Sequence, residues 1–271
     1  PLYSSAASDV YKRQAPTPSP AWTDAELAQH ANPHHHAEKA GKVRGMFGAI
    51  ADSYDLNNRL HSLWQDVRWR NFAVKVAQIQ PGDQVLDVAC GTGDLTQAFA
   101  RRSDISKVVG LDFTPAMLAH AGEKRVKLNP DIASKLTYME GDAQQLPFDD
   151  ASFDVLSIAW GIRNVADPAR ALREFHRVLK TGGRLVVLEF DHPSNPVVRW
   201  FNDFYCGTIM PRTATWISGD KSGAYKYLPK SVSTFTPRAE FEKHLMTAKF
   251  ASVRSWTLSL GICVCYRGIK I

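Results

Sequence analysis

The stretch Val85-Leu86-Asp87-Val88-Ala89-Cys90-Gly91-Thr92-Gly93-Asp94-Leu95 runs from an apolar strand pattern, through two glycines, into a helical pattern. Glycines at such a turn let the backbone approach a ligand closely, and the first turn of the helix offers unpaired N–H groups. In doubly wound sheets this first strand-to-helix turn is where nucleotide-like ligands sit. A pyrophosphate-binding turn would read Gly-x-Gly-x-x-Gly, but Thr96 holds the third glycine position and Asp87 and Asp94 flank the turn. Those carboxylates repel a pyrophosphate yet suit a ligand that carries an ammonium group and no phosphate. S-adenosylmethionine is such a ligand. The same residues count against a nicotinamide-dependent oxidoreductase, the rival from another enzyme class.

Outward from this turn, short apolar runs alternate with helical segments. The runs are 84–88, 107–111, 136–139, 153–159 and 184–190, with helices expected at 94–102, 115–127 and 168–179. Strands alternating with helices imply βαβ units and a parallel sheet covered on both faces. Two closing apolar runs, 252–258 and 261–267, lie two residues apart and read as a hairpin on the sheet edge. The expected fold is therefore α/β, a doubly wound, mainly parallel, seven-stranded sheet of Rossmann-like type. Before it, Val43, Met46, Phe47 and Ile50 recur at helical spacing, and a second helix is expected over 69–80. After 190, the pattern gives a helix over 197–209, a polar aromatic loop through Leu228 and a helix over 238–249.

Acidic and amide residues fall at the strand ends. Asp112 closes the second strand, 21 residues after Gly91, where a carboxylate can accept both ribose hydroxyls of an adenosine ligand. Asp142 and the Ala143 N–H follow the third strand and could read an adenine edge. After the fourth strand, Ala159 to Val165 lacks the Asn/Asp-Pro-Pro-aromatic tetrad usual in methylases of nucleic-acid bases. Arg163 and Asn164 instead offer a cation and an amide at the mouth of the site, and a cation stabilises a phenolate-like oxygen. Tyr205, Trp216, Tyr225, Tyr227 and Phe235, interleaved with glycines, read as a lid or pocket for a flat or long apolar substrate.

The 271 residues are 44% hydrophobic with a net charge of +6, which suits a folded globular chain. Residues 190–271 hold eleven basic groups against five acidic ones, so the excess lies in the last third. Attraction to an anionic membrane surface is one use for it. Nucleic acid is not expected, because Lys/Arg blocks with aromatic platforms are missing. No run reaches membrane-spanning length. Four cysteines without zinc-site spacing point to no metal and to a reducing cytoplasm. Residues 1–37 read as a disordered or foreign tail, the more so as the sequence begins at Pro1. Its His30, His34, His35 and His36 are expected to be flexible linker rather than ligands. Residues 38–271 read as one domain with a lid-like insertion around 197–235.

Taken together the motifs resemble those of the ubiquinone/menaquinone biosynthesis C-methyltransferases, over about Val43 to Lys270. The matching pieces are Met46 to Asn58, Gly161-Ile162-Arg163-Asn164-Val165, Arg177 to Leu185 leading to Leu188-Glu189-Phe190, Ala224 to Ser231, and Gly261 to Gly268. The resemblance implies a class I S-adenosylmethionine-dependent methyltransferase in which Asp87, Gly91, Thr92, Gly93, Asp112, Asp142 and Ala143 bind the cofactor. Ala159 stands where some members use a serine, so that contact is absent or falls to backbone. The implied reaction methylates a ring carbon of a prenylated hydroquinone. Arg163 is the candidate for stabilising the ring oxygenate, with Tyr205 and Tyr225 as substrate contacts. A prenyl tail places the cytoplasmic protein at the inner membrane surface, and a homodimer is a further expectation. The rivals are a methyltransferase of the same fold with another acceptor and a non-catalytic binding protein of a quinone-synthesis complex.

Overall fold

A computed structural model of the chain describes Trp22, Thr23, Glu26, Leu27 and residues 32–271. Helix α1 (Lys39–Ser62) and α2 (Gln65–Val76) precede β1 (Gln84–Val88), followed by α3 (Asp94–Ala100), β2 (Lys107–Asp112), α4 (Pro115–Val126), a short α5 (Pro130–Ala133) and β3 (Leu136–Glu140). Then come β4 (Phe153–Ala159), α6 (Pro168–Val178), β5 (Leu179–Phe190), α7 (Pro196–Phe204), α8 (Met210–Ser218), α9 (Ala224–Ser233), α10 (Arg238–Thr247), β6 (Phe250–Leu258) and β7 (Cys263–Lys270). The strands form one sheet in the order β3-β2-β1-β4-β5-β7-β6. β1 to β5 are parallel, while β7 runs antiparallel to both β5 and β6.

Strand periodicity decides which face each side chain covers. Leu86 and Val88, Leu156 and Ile158, Leu185 and Val187, and Val264 and Tyr266 share one core with Phe175 of α6 and Phe241 of α10. Their alternating neighbours Val85, Val155, Val186, Leu188, Cys263 and Cys265 share the opposite core with Trp69 and Ala73 of α2 and Phe99 of α3. The near-continuous apolar runs are thus what a sheet buried on both faces requires. Cys263 and Cys265 point into the same core, and all four cysteines are free.

Several local expectations shift. The second helix starts at Gln65 rather than Trp69 and stops at Val76, short of Pro81. Thr181-Gly182-Gly183, expected as a turn feeding the fifth strand, lies within β5 as a bulge. Leu179 pairs Phe153, and the ladder resumes at Arg184 opposite Val155, with Gly182 at φ +78°. The expected loop from 210 to 228 is largely helical. Pro211 lies in the first turn of α8, Gly219 ends it in the left-handed region, and Gly223 opens α9 the same way. The glycines and proline that read as loop are caps, where these residues are favoured. A π-turn over Tyr205–Ile209 joins α7 to α8.

The expected tail also needs correction. Positions 1–21, 24–25 and 28–31, His30 among them, lie outside the described residues. Trp22, however, is buried and stacks on Tyr227 with ring centroids 4.9 Å apart, and Lys42 lies over its ring. His34 bonds the Ser231 carbonyl at 2.8 Å, so this stretch of the expected linker packs against α9. The aromatic gain at Trp22 outweighs the low apolar content of the residues around it. Among the described residues no cluster of His, Cys, Asp or Glu could hold a metal, and no helix is long and apolar enough to cross a membrane.

Candidate active site

Between β1 and β4 the strand order reverses, and ligands of open parallel sheets bind outside the carboxyl ends at that point. A cavity lies there. Its walls are the ends of β1 (Val88, Ala89, Gly91), β2 (Leu111 to Thr114) and β4 (Ala159, Trp160, Gly161), together with Gly141 to Gln144 after β3. Phe47 and Tyr54 of α1, Met117 of α4, and Asn164 and Val165 close it. Ala89 and Trp160 both sit at positive φ (52° and 53°) where β1 and β4 end. Such backbone costs non-glycine residues about 1–3 kcal/mol and collects at ligand sites. A side chain on Gly161 would come within 2.5 Å of the Ala89 Cβ, so glycine is what lets these two ends meet.

Asp112 organises the turn. One carboxylate oxygen accepts the Gly91 N–H at 2.8 Å and the other accepts the Thr114 N–H at 2.8 Å. Burial pushes its pKa up and these amides pull it back. Each oxygen retains a lone pair for a further donor, and the residue lines the cavity. Gly93 opens α3 at φ +81°, where any side chain would collide with the Tyr138 ring. Thr92 is buried, and its hydroxyl donates to Asp55 of α1 at 2.6 Å.

Asp87 does not reach the cavity. It is buried below it, accepting the Thr96 and Ser157 hydroxyls at 2.6 Å each. Burial raises its pKa to about 6, against the pull of those two hydrogen bonds. Asp94 likewise faces away, clasped by Arg59, Arg70 and Lys124. The acids that line the cavity are Asp112 and Asp142, and among the described residues no Lys or Arg lines it. Asp142 is exposed and accepts the Gln144 N–H at 2.9 Å, while Ala143 is buried beside it.

Arg163 departs furthest from its expected place. It does not line the cavity, and the whole side chain is buried against Glu189 in an ion pair. It also donates to the Trp160 carbonyl at 3.0 Å and lies over the Phe190 ring. A buried guanidinium takes its partner from the nearest carboxylate, so its charge is spent inside the fold. The neighbouring Asn164 does line the cavity, accepting the Tyr227 hydroxyl at 3.0 Å. Tyr205 is turned to His61, 3.0 Å from its Nδ1, and Tyr225 is buried among α1 and α8 residues. Neither reaches the cavity. The aromatics expected as a lid pack instead on α1, apart from Trp216, which is exposed, and Phe235, which lies against Phe241.

The cavity wall supplied by α1 carried a weak signal. Phe47 and Tyr54 lie seven residues apart, hence on one helix face, but nothing local distinguishes a core face from a ligand face.

A lining of acids and amides over the apolar floor of Val88, Leu111 and Met117 fits the amino group, ribose and base of S-adenosylmethionine and opposes a pyrophosphate. The space before Gly91 is open, its missing Cβ having only Tyr54 within 4 Å.

The sequence model of the ubiE/COQ5 methyltransferase family matches residues 35–270. The chain belongs to that family. Among its relatives, the ubiquinone/menaquinone biosynthesis C-methyltransferase UbiE of Geobacter sp. (strain M21) is 42% identical over 86% of this chain and 98% of its own length. The demethylmenaquinone methyltransferase of Thermus thermophilus is 43% identical over 82% of this chain and 99% of its own. In structure, an S-adenosylmethionine-dependent methyltransferase of Thermotoga maritima aligns with a TM-score of 0.59 at 20% identity, over 84% of this chain and 100% of that one. Phosphoethanolamine N-methyltransferase 2 of Haemonchus contortus, solved with S-adenosyl-L-methionine, gives 0.54 at 16%, over 74% and 52%. The fold is that of class I methyltransferases, and this family member is an S-adenosylmethionine-dependent C-methyltransferase.

Proposed function

We propose that the protein methylates a ring carbon of a prenylated hydroquinone, converting demethylmenaquinol to menaquinol, with the equivalent ubiquinone-pathway step as the alternative. S-adenosylmethionine-dependent C-methylation in quinone biosynthesis is the activity of the family to which the chain belongs. The observation that carries the cofactor assignment is the cavity at the strand-order reversal, lined among the described residues by Asp112 and Asp142 without a cation.

In this reading Asp112 accepts the ribose hydroxyls, Asp142 and the Ala143 N–H hold the adenine, and Gly91, Thr92 and Gly93 form the turn against the amino-acid end. Ala159 contributes backbone only, and Asp87 acts from below by fixing Thr96 and Ser157. When bound, the cofactor supplies an electrophilic methyl group on a sulfonium. The protein's part is to align the acceptor carbon with that methyl and to keep water out. Trp160, Phe47 and Tyr54 supply flat apolar walls for a ring, and Asn164 supplies an amide toward a ring oxygen. Arg163 serves as a positioning residue, holding Trp160 and, through it, the turn that carries Asn164. A prenyl tail on the acceptor would bring the protein to a membrane surface as a peripheral partner.

The test is methyl transfer from labelled S-adenosylmethionine to chemically reduced demethylmenaquinone dispersed in detergent, read by mass spectrometry. A product heavier by one ring methyl is expected. Running the corresponding benzoquinol beside it decides which ring is preferred. Binding of the cofactor with no product from either quinol would move the search to another acceptor.

A further inference from the structure

Several of the large exposed apolar side chains lie on elements that converge where α1 ends. Leu63, Trp64, Trp200, Phe201, Phe204 and Leu260 are each between 49% and 76% exposed. Contacts beneath them bring their elements together. His61 bonds Tyr205, Gln65 lies 3.4 Å from Ser259, and a Cβ on Gly261 would stand 3.1 Å from Pro193 just before α7. Leu63 and Trp64 form the turn into α2 with both residues in the left-handed region, pinned by N–H bonds to Leu60 and Arg59. On α7, Trp200 stacks on Phe204 at 6.0 Å and meets Phe201 edge-on at 4.8 Å. A patch of this kind on a folded protein marks an interaction surface.

The exposed charges on the segments that carry it favour an anionic partner. Across residues 56–68 and 196–216 the exposed charged groups are Arg68, Arg199 and Arg212 against the single acid Asp203. A second copy docking through a two-fold axis would bring up a surface of the same net positive charge. An anionic lipid surface attracts them, and tryptophan and phenylalanine partition into its headgroup region. Helix α1 also links the patch to the cavity. Tyr54 on the cavity wall and Leu63 in the patch are nine residues apart, about 13 Å along a helix. That distance is within reach of a prenyl chain whose ring occupies the cavity. We propose that the face made by the end of α1, α7 and Leu260 is the surface by which the protein docks on an anionic bilayer, its arginines on headgroups and its aromatic rings in the interface. The choice of a lipid partner rests on the prenyl-quinol reading above.

The test is co-sedimentation of the full chain with phosphatidylcholine vesicles containing about 30% phosphatidylglycerol, with neither quinol nor cofactor present. The native chain should bind. Joint replacement Trp200→Ala, Phe201→Ala and Phe204→Ala should lower the partition coefficient about tenfold or more, and Arg199→Glu should lower it on anionic vesicles alone. Val126→Ser, at an exposed apolar position on α4, should leave it unchanged. Unaltered S-adenosylmethionine binding by each variant confirms that the site remains folded. Failure of the native chain to bind, equal binding by the triple variant, or a dimer that dissociates in the triple variant while vesicle binding persists, would each overturn the proposal. Because the vesicles contain no substrate, a negative result here is separate from a negative result in the detergent methylation assay.

Discussion

Asp112 holds the fold together at the cavity wall, and in the proposed site it also meets the ligand. Its two oxygens already hold the amides of Gly91 and Thr114, so removing it unpairs backbone on both sides of the cavity. Asp112→Ala should weaken S-adenosylmethionine binding by about 1–3 kcal/mol, the usual result of leaving polar partners unsatisfied. Isothermal titration reads this directly, and unchanged affinity would remove Asp112 from the ligand. Arg163 belongs to a different category. With both members of the Arg163–Glu189 pair buried, Arg163→Ala leaves a carboxylate in the core without its counter-charge. We expect a loss of about 3–5 kcal/mol in stability by denaturant unfolding, largely regained when Arg163→Met is combined with Glu189→Leu. A single variant as stable as the native chain would show that Arg163 is not held for structure. The motif Gly161 to Val165 was legible in the sequence as a unit, yet which of its polar groups lines the cavity was not. That choice depends on Glu189, a residue 26 positions away on β5.

At the scale of elements, the β1–α3 turn works because Gly93 adopts a backbone conformation and a closeness to Tyr138 that no other residue allows. Gly93→Ala should therefore lower the melting temperature and weaken the cofactor together, at a stability loss of about 1 kcal/mol or more. Gly48 offers the opposite case inside α1, with ordinary helical backbone and nothing within 4 Å of where an alanine methyl would stand. Gly48→Ala should raise stability by about 0.5–1 kcal/mol, the difference in helix propensity. Thermal unfolding of the two variants side by side checks both signs. The strands were readable because burial on both faces writes continuous apolar runs. The helices α8 and α9 were not, because their capping glycines and Pro211 are the residues that also mark loops.

Across the whole molecule, a charged network ties the N-terminal helices to the ligand-binding half. Arg59 of α1, Asp66 and Arg70 of α2, Asp94 of α3 and Lys124 of α4 meet behind the Gly-rich turn. Desolvation alone would raise the pKa of Asp94, but Arg70, Lys124 and Arg59 outweigh it and hold the carboxyl at about 2. A carboxyl depressed in the folded state contributes stability that is complete above its unfolded value near 4 and is lost as pH falls toward 2. Asp94→Asn should thus cost about 2 kcal/mol at pH 7 and roughly half of that at pH 3. Urea unfolding at the two pH values measures the difference, and an effect independent of pH would show that Asp94 does not carry its charge in this network.

Read along the chain alone, the residues already specify the sheet, its mainly parallel sense, the position of the Gly-rich turn and the acids at the ends of β2 and β3. These follow from short-range rules, the alternation of strand faces and the glycines that a tight turn requires, so they are written where they act. Three-dimensional packing was needed to show that α1 forms a cavity wall through Phe47 and Tyr54, and that Asp87 and Arg163 are buried away from it. It likewise showed that Trp22 belongs to the core, and that the segments carrying Leu63, Trp200 and Leu260 converge. Each of these depends on which distant segment arrives as a neighbour, and a side chain's chemistry says what it can bond without saying what will be within reach.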